Sequence, residues 1–221
     1  MMNQHNSINH FEVKYSRMGS PVAVVKGVHL HSIYDPAREA ENFIDSQVKN
    51  LKWKIDVIVL GLGFGYHVKA LQHYFDSIKS DYNIIVIEPN QDVYNYVIEK
   101  NLIDFNKVKV INSHSIDELY SNEKLVHFLL QKPAIIAHPA SFNHYHSFFK
   151  EFLTYNAPTN IGNLKRLAQT TEIKNYLDTL DPHLDIESYL SLVNLKTEHA
   201  EMDYLMMALG EIINTNKNQT F

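Results

Sequence analysis

Four short apolar runs, each followed by a stretch of helical spacing, constrain this chain more than any other feature. The runs are IDVIVLGL, DYNIIVIEPN, KVKVINSH and KPAIIAHPA. Continuous apolar segments of this length fit strands covered on both faces. The segments after them, Tyr66 to Phe75, then NQDVYNYVIEKNLI, IDELYSNEKLVHFLLQ and HYHSFFKEFLTY, place apolar residues three and four apart, as helices do. Strands alternating with helices predict an α/β fold: a doubly wound, mainly parallel Rossmann-like sheet with right-handed crossovers.

In front of the sheet, FEVKYSRMGSPVAVVKGVHLH reads as a small β element, two strands around the turn Gly19-Ser20-Pro21. YDPAREAENFIDSQVKNL follows as a helix, with Asp35 as its cap and Pro36 at its first position. After Pro158 no strand-like run recurs, and the remainder is helical with a break at Asp181-Pro182. The predicted organisation is a Rossmann-like domain over residues 1–158 and a helical extension over 159–221.

The balance of residues narrows the function classes. A formal charge of -5 without a long basic run argues against a nucleic-acid grip. The absence of cysteine excludes disulfides, thiolate nucleophiles and cysteine-held metals. MMNQHNSINHFEVKY has no apolar h-region, and no apolar run approaches the roughly 20 residues that cross a bilayer. A cytoplasmic protein without membrane or nucleic-acid partners is the expectation.

The chain carries seven glycines and places three of them, Gly61, Gly63 and Gly65, in the one turn VIVLGLGFGYH. In a doubly wound sheet the first glycine turn opens onto a helix at the carboxyl ends of the strands, where ligands bind. Gly61 suits the tight turn, Gly63 the close approach of a ligand, and Gly65 helix packing. The dinucleotide pattern G-x-G-x-x-G would need glycine where Tyr66 stands. The G-x-G-x-G present instead resembles the first motif of S-adenosylmethionine-binding folds. Glu88 ends the next strand in VIEPN, positioned to accept two ribose hydroxyls, with Asn90 behind it. Tyr66 and His67 open the helix; Ser113, after the third strand, and His138, after the fourth, complete the expected ligand-binding set. Val59 stands where adenosylmethionine enzymes usually carry an acid, and His138-Pro139-Ala140-Ser141 replaces the amino-group methylation signature. Binding without methyl transfer is therefore expected, with a methyltransferase of degenerate first motif as the alternative.

GVHLHSIYDPAREAENFI, VIVLGLGFGYHVKAL, VIEPN and IIAHPAS, in this order, resemble the N-terminal region of the motility accessory factor family, which is linked to flagellin glycosylation with nonulosonic acids. The resemblance implies a Rossmann-like fold and a crevice for a nucleotide-like ligand, S-adenosylmethionine or a nucleotide sugar. The family's transferase chemistry belongs to a central domain with a glycine-proline-serine motif that this sequence lacks. No catalytic residue carries over.

The remaining histidines predict no metal site. His138, His144 and His146 lie in HPASFNHYH, read as a loop entering a helix, where residues two apart do not share a face. His29 and His31 flank Leu30 and are assigned to the polar face of a strand. In the extension, Leu190, Leu192, Val193, Leu195, Met202, Leu205, Met206 and Leu209 exceed what one amphipathic helix hides. Docking on the chain's own sheet domain together with a homodimer contact through these helices is the expectation.

Overall fold

The computed structural model describes residues 11–52, 54–156, 160–168 and 170–217. The segment before Phe11, Pro158 at the expected domain boundary and the tail from Asn218 lie outside the described residues. The chain divides into two compact units, one up to Thr154 and one from Tyr155.

The first unit begins with a three-stranded antiparallel sheet, β1 (Phe11–Tyr15), β2 (Pro21–Val25) and β3 (Val28–His29). β2 is its middle strand, and Val22 to Val25 are all buried there. Gly19 takes φ +77° in the turn between β1 and β2, a left-handed conformation that favours glycine. Helix α1 (Pro36–Leu51) starts as its sequence predicts: the Asp35 carboxylate accepts the Arg38 N–H at 3.0 Å. It buries Ala40, Ile44 and Leu51.

The main sheet is parallel. β4 (Asp56–Leu60) leads into α2 (Tyr66–Ser77), β5 (Asn83–Glu88) into α3 (Gln91–Glu99), and β6 (Val108–Asn112) into α4 (Ile116–Tyr120) and α5 (Glu123–Leu130). β7 (Ala134–Ala137) then leads into α6 (Pro139–His144) and α7 (His146–Leu153). The strand order is β6-β5-β4-β7. The chain steps outward from β4 twice and then crosses to its other side, which is the Rossmann-like winding. Val57 to Leu60 are wholly buried, which is why β4 reads as one unbroken apolar run. Leu60 pairs with Ile87 on one side and Ala137 on the other. Gly61, Glu88 and His138 are each the next residue along, so the register sets them side by side at the carboxyl edge.

Readings of the helices in this unit need correction. IDELYSNEKLVHFLLQ is two helices, because Asn122 breaks the run and caps α5 by accepting the Leu125 N–H at 3.1 Å. HPASFNHYH is helical over Pro139–His144 rather than a loop, with a break at Tyr145 before α7.

The second unit holds α8 (Ile161–Leu167), α9 (Thr171–Leu177), α10 (Ile186–Asn194) and α11 (Glu201–Lys217). Ile161, Leu177, Tyr189, Val193 and Met206 form its own buried cluster. Among the described residues no helix is long and apolar enough to cross a membrane.

Candidate functional site

Gly61, Gly63 and Gly65 all have positive φ, +93°, +49° and +76°. What crowds them is protein. A Cβ on Gly61 would stand 2.2 Å from the Ser141 Cβ, one on Gly63 2.4 Å from the His31 Nε2, and one on Gly65 2.3 Å from the Ile103 Cγ2. Gly63 was expected to leave room for a ligand; the His31 ring fills that room.

Glu88 lies beside this turn, fully buried. Its Oε2 accepts the Leu62 N–H at 2.7 Å and its Oε1 the Asn90 N–H at 2.8 Å. Burial raises its pKa to about 7, against the pull of these backbone bonds. The carboxylate therefore ties the glycine turn to the end of β5. Asn90 caps α3 through Asp92 N and Val93 N, and donates to the Tyr145 hydroxyl at 2.8 Å. Ser113 donates to Glu118 at 2.6 Å and accepts from Ser115 N at 3.0 Å. Tyr66 reaches back to the first sheet and donates to the Pro21 carbonyl at 2.8 Å. These residues stand together at the carboxyl edge, each engaged with the protein itself.

His67 and His138 are different. They stack with ring centroids 4.2 Å apart and planes 2° from parallel. A third ring joins them. His31, from the segment between β3 and α1, lies 4.6 Å from the His138 ring and 5.5 Å from that of His67. His31 is 4% exposed, so its assignment to a polar strand face is corrected: β3 ends at His29, and the next turn of chain carries His31 inward.

Polar groups stand around each ring, although the buried His31 Nδ1 makes no hydrogen bond. The His67 Nε2–H donates to the Gly61 carbonyl at 2.9 Å, which leaves its Nδ1 a buried lone pair without a hydrogen bond. The His31 Nε2 accepts the Phe64 N–H at 3.2 Å, so its proton sits on Nδ1, 3.5 Å from the Glu39 carboxylate. The His138 Nδ1 meets the Ser141 hydroxyl at 2.8 Å. Burial, then the field of the His31 ring, holds the His67 pKa down to about 3. Burial lowers His138 well below the usual value, and also lowers His31 despite the opposing pull of Glu39. Burial thus favours the neutral form of all three rings.

The rings line a cavity of about 160 Å³, closed by Glu39, Ala40 and Phe43 of α1 and by Pro139 and Ala140. It lies at the carboxyl ends of β4 and β7, where the winding reverses and open α/β sheets bind ligands. Sequence reasoning missed His31, Glu39 and Phe43. The trace of His31 and Glu39 was the string LHS-x-YDP-x-x-EA, whose cap explained Asp35 but left those two unused.

No protein-family model matches the chain, and no curated protein does. Among solved structures, MnmC2 from Aquifex aeolicus is similar at 19% identity and a TM-score of 0.37, over 55% of this chain and 47% of that one. The chain thus spans less than half of that structure's length. The Rossmann-like assignment rests on the strand order and register of the chain itself.

Proposed function

We propose that this chain is a ligand-binding module of Rossmann-like, methyltransferase-like fold that takes a small ligand in the histidine-lined pocket and performs no transferase chemistry. One observation carries the reading. The strings that resemble the motility accessory factors meet in space: LHS supplies His31, YDP-x-x-EA supplies Glu39 and Ala40, GYH supplies His67, and AHPA supplies His138, Pro139 and Ala140, all lining one cavity. The position at the switch point agrees. Its volume of about 160 Å³ is below the roughly 300 Å³ at which pockets begin to enclose drug-sized molecules. A role in flagellin or surface-glycan modification belongs to the same proposal and rests on the string resemblance alone.

A second reading keeps S-adenosylmethionine or a nucleotide sugar at the glycine turn, favoured by Glu88 standing beside it at the end of β5. A nucleoside there must take Glu88 away from Leu62 and Asn90. Native mass spectrometry on the full chain, with and without chelator, separates the two. A small adduct that the rim variant Ala140→Phe loses is expected, while saturating adenosylhomocysteine or nucleotide sugars leave the Tm unchanged. Absence of any such adduct, or one indifferent to Ala140→Phe, ends the pocket reading. Turnover of labelled S-adenosylmethionine that Glu88→Ala abolishes promotes the methyltransferase instead.

A further inference from the structure

One ring nitrogen from each of His31, His67 and His138 lies within 4.8 Å of the other two. We infer that these three histidines bind a single borderline divalent cation of the zinc class, with the Glu39 carboxylate as its outer-shell anion. The inference rests on the pocket being the ligand site and names that ligand.

The arrangement of outer partners carries it. Metal-bound histidines give their second ring N–H to a carboxylate, a carbonyl or water, which fixes the tautomer and turns the other nitrogen toward the metal. Here two rings already have such a partner, the Gly61 carbonyl at His67 Nε2 and Ser141 at His138 Nδ1, while the Glu39 carboxylate stands 3.5 Å from His31 Nδ1, which is buried without a hydrogen bond. The nitrogens left over are His31 Nε2, His67 Nδ1 and His138 Nε2. Of these, His67 Nδ1 is buried without a hydrogen-bond partner. Such orphans are rare in folded proteins and call for an explanation, an ion among them. His31 Nε2 holds only the 3.2 Å contact from Phe64 N, which ligation would replace.

The donor chemistry selects the ion. Imidazole nitrogen suits zinc, copper and nickel, while magnesium and calcium prefer oxygen. Three histidines leave a fourth position for water or a small anion, and a cavity of about 160 Å³ has room for an ion with a few waters. Donor atoms around a tetrahedral zinc with bonds of about 2.1 Å stand about 3.4 Å apart. Binding therefore draws the rings inward from their present spacing and tilts His67 and His138 out of their parallel stack.

The test uses the full chain, stripped with chelator and titrated with zinc by calorimetry and with cobalt by visible absorption. Expected are one equivalent of zinc per chain, a raised Tm, and the intense visible bands of tetrahedral cobalt. His67→Gln and His138→Gln should each weaken zinc at least 100-fold, and Glu39→Gln about 10- to 100-fold. His144→Gln, outside the cluster, should leave affinity unchanged. Circular dichroism reports whether the buried-ring variants fold. If they do not, Glu39→Gln, at a half-exposed position, and the cobalt spectrum of the unmodified chain decide alone. Zinc that fails to bind, or binds equally to every variant, overturns the inference. An organic adduct that persists in chelator and disappears in Ala140→Phe would do so while leaving the pocket reading intact.

Discussion

Glu88 was found by sequence, while the bonds it makes in the fold were not. An acid at the end of β5 was legible, because a buried strand that ends in VIEPN has few other ways to stop. Its partners were not, since the amides of Leu62 and Asn90 arrive by register and turn geometry. The raised pKa has a consequence for stability. The usual value is 4.5 and the folded value about 7, so the fold retains a proton that the unfolded chain releases. The contribution is fully present below pH 4.5, and it is lost as pH rises through 7. Across this window it amounts to on the order of 3 kcal/mol. Glu88→Gln cannot titrate, and its amide group faces one backbone donor with another, so it should be less stable than the parent at every pH. The gap between parent and variant, from urea melts, should narrow as pH rises from 4.5 to 7. The buried histidines add the opposite slope below about pH 6.5, but they are common to both proteins and cancel in the difference. A gap that stays constant refutes the assignment.

Strands and helices were more legible than the places where they stop. β4 and β5 announce themselves because both faces are covered, and α1 because its cap and proline are local signals. The joint between α4 and α5 was missed because Asn122 sits inside an otherwise helical run, and its capping role shows only once Leu125 N is aimed at it. The gap between α10 and α11, from Leu195 to Ala200, was missed as well. Asn90 is the counterpart at the site. It was expected to touch a ligand; it accepts two amides at the start of α3 and holds Tyr145. Asn90→Ala should therefore cost about 1–2 kcal/mol in chemical denaturation, the usual loss for an N-cap. A variant as stable as the parent would return Asn90 to the role of a free ligand contact.

At the scale of the whole molecule, what the sequence concealed was convergence. His31, His67 and His138 sit after different strands, and only the winding of β3, β4 and β7 brings them to one cavity. No window along the chain contains two of them. The second unit poses the same problem with a buried acid. Asp203 is 1% exposed, in a unit with few buried residues. It accepts from the Tyr176 hydroxyl at 2.5 Å, the Tyr189 hydroxyl at 3.2 Å, Lys196 Nζ at 2.9 Å and Ala200 N at 2.9 Å. It thereby links α9, α10 and the start of α11. A helical unit of about 60 residues buries only about 60% of its unfolded surface, so one polar hub is a large share of its stability. Asp203→Ala removes the acceptor shared by Tyr176, Tyr189, Lys196 and Ala200 N and leaves the two tyrosine hydroxyls only each other, and breaking a buried hydrogen-bond network is among the few mechanisms of severe loss. Each unit has its own core, so calorimetry of the full chain should resolve two transitions, the smaller unit melting first. Asp203→Ala should lower that first transition by about 5 °C or more and leave the second in place, whereas Glu88→Gln should move only the second. A single transition shifted alike by both substitutions would show that the two cores unfold as one.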